Sequence, residues 1–89
     1  MMVLVMERVS ASTRGELTRW LLEPRTGVFV GRVSALVREK LWSLACEKAG
    51  AGAVTLVYHT DSAQGFALRT AGRTSRAVID LEGLLLVRI

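Results

Sequence analysis

The sequence predicts an α+β fold, a ferredoxin-like sandwich in which two helices cover one face of a mainly antiparallel sheet. Three observations support this: apolar runs of strand length alternate with two stretches of helical periodicity, turn-forming residues separate two later strands, and 89 residues suffice for one domain. The predicted order is strand, helix, strand, helix, strand, strand, strand. It amounts to a single ferredoxin-like domain over residues 1–89 with an extra C-terminal strand.

The first half of the chain alternates between strand and helix patterns. Residues 3–6 form an apolar run closed by Glu7, which predicts a central strand buried on both faces. Residues 13–16 have the Thr-x-x-Glu spacing of a capping box and should begin a short amphipathic helix. Pro24 should end that helix, because proline disfavours helical geometry in the preceding residue. The glycine-bounded run 27–31 predicts the second strand.

The second half begins with the longer helix. Ser34 offers an N-cap, apolar residues then recur at three- and four-residue spacing, and Gly50 provides the stop. Residues 61–65 have turn chemistry and residues 71–76 form a polar loop. The remaining strands are predicted at residues 53–59, 66–70 and 84–87.

The predicted sandwich leaves one face of its sheet bare. A chain of this length buries only roughly 60% of the surface that it exposes when unfolded, so a lone monomer would be marginally stable. An apolar sheet face in so small a domain should therefore be covered by a second copy, and the last strand is available to complete the neighbour's sheet edge. We predict a twofold homodimer.

The charge of the chain favours a polyanionic partner. The formal net charge is +4, and ten of the twelve basic residues are arginine, whose planar fork suits phosphate. A basic surface without a ligand is the open alternative. No apolar run approaches the roughly 18 residues that a bilayer span needs, so no membrane partner is expected. The single Cys46 is consistent with a reducing cytoplasm, where we expect the protein to reside.

Few residues offer catalytic chemistry. One histidine, His59, and one cysteine, Cys46, are too few for a zinc site of the usual kind. Nothing in the sequence brings them together as a nucleophile and base. Trp20 and Trp42 lie on predicted amphipathic helices, which favours core or interface positions over base-stacking platforms.

Several segments resemble one known family. They are RGELTRWLLEPRTGVFVGRVSA at residues 14–35, Arg38-Glu39 continuing to Trp42, Gly65-Phe66, and DLEGL at residues 80–84. Together they closely resemble the second core CRISPR-associated protein, "Cas two", of subtype I-E. The resemblance covers essentially the whole chain.

The resemblance implies a homodimeric scaffold between two dimers of the integrase "Cas one", holding a double-stranded DNA prespacer for insertion into the CRISPR array. The integrase performs the chemistry, so the scaffold itself requires no cofactor. The positions where the family grips backbone phosphates, with one neighbour in the same loop, correspond here to Arg8, Arg14, Arg73 and Arg76. Ser12 and Ser75 stand where relatives often carry arginine, so their hydroxyls would bind phosphate without adding charge.

The residues themselves support a phosphate-binding loop. Between Thr70 and Val78 the chain carries Arg73 and Arg76 and no acid, a pattern that gives salt-dependent, sequence-independent binding. Arg14, predicted in a first helical turn, would oppose the helix dipole there, and this small cost suggests another purpose. A solvated loop without a ligand is the alternative reading.

Two further functions remain open. In the wider family an acid ends the first strand and some members are metal-dependent nucleases. Glu7 is therefore the candidate catalytic carboxylate and Mg²⁺ ligand of an endonuclease at the dimer interface. The third possibility is a regulatory or toxin-like dimer that does not bind DNA.

Overall fold

The computed structural model describes residues 1–72 in full and, for residues 77–81 and 84–88, the backbone alone. Residues 73–76, 82–83 and 89 lie outside the described part. The elements in chain order are β1 (Met2–Met6), α1 (Ala11–Leu17), β2 (Leu22–Arg25), β3 (Val28–Gly31), α2 (Ala35–Lys48), β4 (Val54–His59), β5 (Phe66–Ala71), β6 (Ala77–Leu81) and β7 (Leu84–Arg88).

The strand order confirms the predicted fold class. Five strands form one sheet in the order β2-β3-β1-β4-β5, and every neighbouring pair is antiparallel. The first six elements have the ferredoxin-like connectivity, with β5 added beyond β4. Strands β6 and β7 pair antiparallel with each other as a separate two-stranded sheet. Neither helix in the described part of the chain has the length and hydrophobicity to cross a membrane.

The core lies between the sheet and the two helices. Along β1 the side chains alternate, so Met2, Leu4 and Met6 are buried on the helix-covered face. Leu4 is paired in register with Phe29 of β3 on one side and Leu56 of β4 on the other, and all three are fully buried. The other core residues are Leu17, Leu21, Leu41, Ala45, Ala49 and Val54.

Within residues 1–72, neither helix covers the opposite face of the sheet. Val3 pairs with Val30 and Val5 with Val28, which places a patch of valines on this face. Val5 is 39% exposed and Leu22, on the edge strand β2, is 72% exposed. The prediction that β1 is buried on both faces is therefore wrong for the single chain, which covers only one of them. We call this surface the open face.

Helix α2 follows the sequence pattern closely. The Ser34 side chain accepts a hydrogen bond from the Val37 N–H at 3.2 Å, which confirms the predicted N-cap. Leu41 and Ala45, one turn apart, are buried against the sheet. Gly50, just beyond the helix, has a φ of +58°, the left-handed conformation that the predicted stop requires.

Helix α1 begins and ends earlier than the sequence suggested. Ser10 is the N-cap, because its side chain accepts from the Thr13 N–H at 3.2 Å. The predicted capping box is wrong, since Thr13 is buried within the helix and its hydroxyl accepts from the Ser10 hydroxyl. The helix ends at Leu17, so Pro24 does not end it as predicted. Pro24 lies in β2.

Two strands were not predicted, β2 and β6. Strand β2 has four residues, includes a proline, and shows an irregular register between Leu22 and Arg25. Proline within a sheet is tolerated at edges and bulges, and β2 is an edge strand. The local sequence therefore carries little strand signal, and its pairing with β3 defines it.

Two glycines with nearly the same positive φ allow a test of packing at the end of β1. Gly27 has a φ of +81° and a Cβ there would lie 2.4 Å from the Met6 carbonyl oxygen, whereas Gly65, at +83°, has nothing within 4 Å. Gly65→Ala should cost about 1 kcal/mol of unfolding free energy for the backbone conformation alone. Gly27→Ala should cost about 3 kcal/mol, because it adds a backbone clash. Urea denaturation at equal protein concentration measures both, and equal losses would contradict the clash.

Candidate nucleic-acid interface

The edge of the sheet where β1 ends and β4 begins carries two of the six predicted phosphate-binding residues, Arg8 and Ser12. The Met6 N–H donates to the Gly27 carbonyl at 2.8 Å, and the Glu7 N–H donates to the Ala53 carbonyl at 2.9 Å. These bonds hold the end of β1 between the β2–β3 turn and the start of β4. Helix α1 also starts at this edge, because it follows β1 directly. We call this surface the Arg8 edge; it comprises residues 7–12, 25–27, 48–53 and Gly72.

Arg8 presents its charge to solvent at this edge. Its residue is exposed, and in the part of the chain that the structure describes it takes part in no ion pair. Its aliphatic stem lies over Gly52, where an added Cβ would be 3.1 Å from Arg8 Cβ and 3.2 Å from Cγ. The stem is thus braced while the guanidinium stays available to an anion.

The chain enters the predicted basic loop beside Arg8. Gly72 has a φ of +77°, and a Cβ there would lie 2.5 Å from the Gly52 carbonyl oxygen, so the two glycines are in close backbone contact. Gly52 is also the residue that supports Arg8. Arg73, Ser75 and Arg76, which follow Gly72, lie outside the described residues, and their phosphate-binding role stays a prediction.

Arg14 lies on α1 and has an acidic partner. Its Nε lies 2.9 Å from Glu23 Oε1 and donates to Oε2 at 3.0 Å, and the Arg14 side chain remains 38% exposed. The prediction that Arg14 opposes the helix dipole is wrong, because α1 starts at Ala11 and Arg14 falls in its last turn, where a cation is favoured. Ser12, in the first turn of α1, is exposed.

Glu23 is the residue that joins these elements. Its side chain is only 14% exposed, and its Oε2 also accepts from the Gly27 N–H at 2.9 Å. The pKa of its carboxyl lies below the ordinary value because the Gly27 N–H and then Arg14 stabilise the anion, although burial acts in the opposite direction. The role of Glu23 carries no local signal in the sequence, since its partners are nine and four residues away.

Two more cations at the Arg8 edge were also missed. Arg25 ends β2 and is exposed, and Lys48, also exposed, ends α2 shortly before β4 begins. Lys48 could have been predicted from the sequence. It lies at the C-terminal end of the helix that precedes β4, so it must lie near the edge where β4 begins. Arg25 could not be placed without β2.

Glu7 follows β1 and is exposed at the same edge. Within the described part of the chain, no group of three or more His, Cys, Asp or Glu side chains is arranged to hold a metal ion. Glu7 therefore belongs to no such cluster among the described residues, and its role as a metal ligand stays a prediction.

Two other arginines, Arg38 and Arg69, form ion pairs with an acid of the same chain, Glu39. Glu39 accepts from Arg69 Nη1 at 2.7 Å and from Arg38 Nε at 3.0 Å, and the pKa of its carboxyl is lowered by Arg69 first and Arg38 second. The Arg38 guanidinium also stacks 4.0 Å from the Tyr58 ring centroid. This cluster ties α2 to strands β4 and β5.

The structure also places the tryptophans, the cysteine and the histidine considered in the sequence. Trp42 packs against the core, as predicted, whereas Trp20 lies beyond α1 and is 56% exposed. Cys46 is half-buried on α2, and burial raises the pKa of its thiol, which disfavours a reactive thiolate. His59 is exposed at the end of β4.

The Glu23 ion pair predicts how stability depends on pH. The folded-state pKa of Glu23 lies below the ordinary value of 4.5, so its contribution is complete above that pH and is lost as the pH falls through the folded pKa. Glu39 should contribute in the same way. The free energy of unfolding, measured in urea from pH 6 to pH 3, should fall less steeply for Glu23→Gln than for the wild type. It should fall least for the Glu23→Gln, Glu39→Gln double variant, and an unchanged slope in both would refute the assignment.

A comparison with protein families supports this assignment of the fold. The model of a family described as "CRISPR-associated protein (Cas_Cas2CT1978)" matches residues 1–86, nearly the whole chain. This match agrees with the fold and with the family-level resemblance found in the sequence. The chain belongs to this Cas2-type family of CRISPR-associated proteins.

Proposed function

We propose that the protein is a non-catalytic homodimeric scaffold of CRISPR spacer acquisition, which binds duplex prespacer DNA by its phosphates and bridges integrase dimers. The observation that carries this proposal is the Arg8 edge. There Arg8 is exposed without an ion-pair partner in the described chain, and the chain enters the segment with Arg73 and Arg76 at the same place. The family match supports a CRISPR-associated role.

The charge distribution supports binding to phosphates rather than to bases. Arg8, Arg25 and Lys48 are exposed at one edge, and no aromatic side chain lies among residues 7–12, 25–27 and 48–53 to stack on a base. Arginines that contact a duplex backbone give affinity without sequence preference and a strong dependence on salt. Such a surface suits a protein that must accept DNA of any sequence.

The open face supports the dimer. Its valines extend across neighbouring strands in register, and Leu22 and Val5 are exposed there. A contiguous apolar patch on a small soluble protein is typical of an interface. A second copy related by a twofold axis would cover the same patch on both chains and would place two Arg8 edges on one particle.

The position of Glu7 favours a scaffold over an endonuclease. Metal-assisted cleavage of phosphodiesters usually requires several convergent oxygen ligands, and Glu7 supplies one carboxylate per chain. Its exposed position among the arginines keeps the endonuclease as the alternative for experiment to separate.

A charge on the open face should break the dimer. Val5→Glu would bury a carboxylate from each chain in the proposed apolar interface, which should raise the dimer dissociation constant at least about 100-fold. Sedimentation equilibrium measures this change. The matched control is Leu36→Glu, because Leu36 is 67% exposed on α2 and away from the open face. A dimer that tolerates Val5→Glu would overturn the assigned interface.

Duplex binding should depend on the arginines that are predicted to bind phosphates. The Arg14→Ala, Arg76→Ala variant should bind fluorescent duplex DNA more weakly. The slope of log K against log salt should shrink by about 0.9 for each phosphate contact removed. Fluorescence anisotropy at several salt concentrations gives both quantities.

The control for this experiment is Arg32→Ala. Arg32 is an exposed arginine that follows β3 at the opposite edge of the sheet, so its loss should have little effect on affinity or slope. Equal losses from both variants would indicate unspecific charge attraction. Intact duplex after incubation with Mg²⁺ is expected, and cleavage that Glu7→Ala abolishes would establish the endonuclease alternative instead.

A further inference from the structure

We propose that Glu23 is a positioning residue for Arg14, holding its guanidinium in the orientation that binds a DNA phosphate. This inference rests on the proposed function and assigns a task to an acid within a basic surface. The nearly buried Glu23 carboxylate contacts two groups, the Arg14 side chain and the backbone of the β2–β3 turn.

Glu23 contacts Arg14 only through the Nε side of the guanidinium in the contacts described. Both carboxylate oxygens lie within 3.0 Å of Arg14 Nε. The Nε–H is one of five guanidinium donors, so a carboxylate on that side leaves the far side of the planar group with donors for a phosphate. The Arg14 side chain is 38% exposed, which gives an anion access to it. Glu23 therefore restricts the rotamers of Arg14 without consuming its fork.

Glu23 is itself anchored to the backbone of the β2–β3 turn. Its Oε2 accepts from the Gly27 N–H at 2.9 Å, and the Gly27 carbonyl accepts from the Met6 N–H at 2.8 Å. Met6 is the last residue of β1 and Arg8 follows two residues later. The chain of hydrogen bonds thus connects Arg14 on α1 to the strand end that carries Arg8. The two arginines are held in one frame, as two contacts along a rigid duplex require.

The negative charge of Glu23 allows a positioning role to be told apart from simple repulsion of the DNA. Removing an acid beside a bound polyanion should by itself tighten binding, because a repulsion is removed. A positioning acid should do the opposite, because its loss frees Arg14 to adopt rotamers that do not reach the phosphate. The two roles therefore predict opposite signs for the same substitution.

The experiment compares Glu23→Gln with Glu16→Gln by duplex-binding anisotropy. Glu16 is an exposed acid on the same helix and, within the described chain, is in no ion pair, so both variants remove one negative charge from the same region. Glu23→Gln should weaken binding about three- to tenfold and reduce the salt slope, as loss of a charge-assisted contact would. Glu16→Gln should leave affinity unchanged or tighten it.

Two further variants separate positioning from simple structural damage. In an Arg14→Ala background, Glu23→Gln should no longer weaken binding, because the side chain that it positions is absent. Glu23→Asp keeps the charge but shortens the reach between Arg14 and Gly27, so it should weaken binding although the net charge is unchanged. Circular dichroism and dimer mass confirm that each variant is folded before its affinity is compared.

The outcomes distinguish the inference from the proposed function. Tighter binding by Glu23→Gln, or an equal loss with and without Arg14, overturns the positioning role while leaving the scaffold intact. Wild-type protein that does not bind duplex DNA overturns the scaffold itself. Full duplex affinity in Arg14→Ala alone removes Arg14 from the interface, and the role of Glu23 falls with it.

Discussion

The alternation of side chains along β1 is the constraint on which the rest of the structure depends. This strand lies in the middle of the five-stranded sheet and pairs with β3 and β4 along its length. Its even-numbered residues, Met2, Leu4 and Met6, are buried under the helices, so Val3 and Val5 must lie on the open face. A slip of one residue would exchange the two faces and destroy both the core and the proposed interface.

The same strand also determines where the charged residues stand. Because the Glu7 N–H is bonded to the Ala53 carbonyl and the Met6 N–H to the Gly27 carbonyl, the chain beyond Met6 is held at one edge of the sheet. Arg8 follows at once, and α1 carries Ser12 and Arg14 away from there. The fold thus separates two surfaces of different character, with apolar residues on the open face and cations along the Arg8 edge.

Much of this architecture could be predicted from the sequence, because the informative patterns are local. The Ser34 cap, the apolar spacing of α2 and the turn ending at Gly65 each lie within a few residues, and the structure confirms them. Strand β2 could not be predicted because tertiary pairing with β3 defines it. The start of α1 was misplaced because Ser10 and Thr13 are both plausible caps, and the hydrogen bond from the Thr13 N–H to the Ser10 side chain identifies Ser10 as the cap.

The candidate nucleic-acid interface is harder to predict from the sequence. Whether an arginine is available to a ligand depends on its neighbours in the fold as well as on its residue type. Arg38 and Arg69 look as basic as Arg8 in the sequence, yet in the fold both are bound to Glu39. Glu39 is half-exposed and tethers two arginines to aromatic rings, whereas Glu23 is nearly buried, holds one arginine and is itself fixed to the backbone. The first arrangement gives both arginines structural partners. The second orients a single arginine at the surface that we propose binds DNA, and such an arrangement explains how an acid can belong to the proposed binding site for a polyanion.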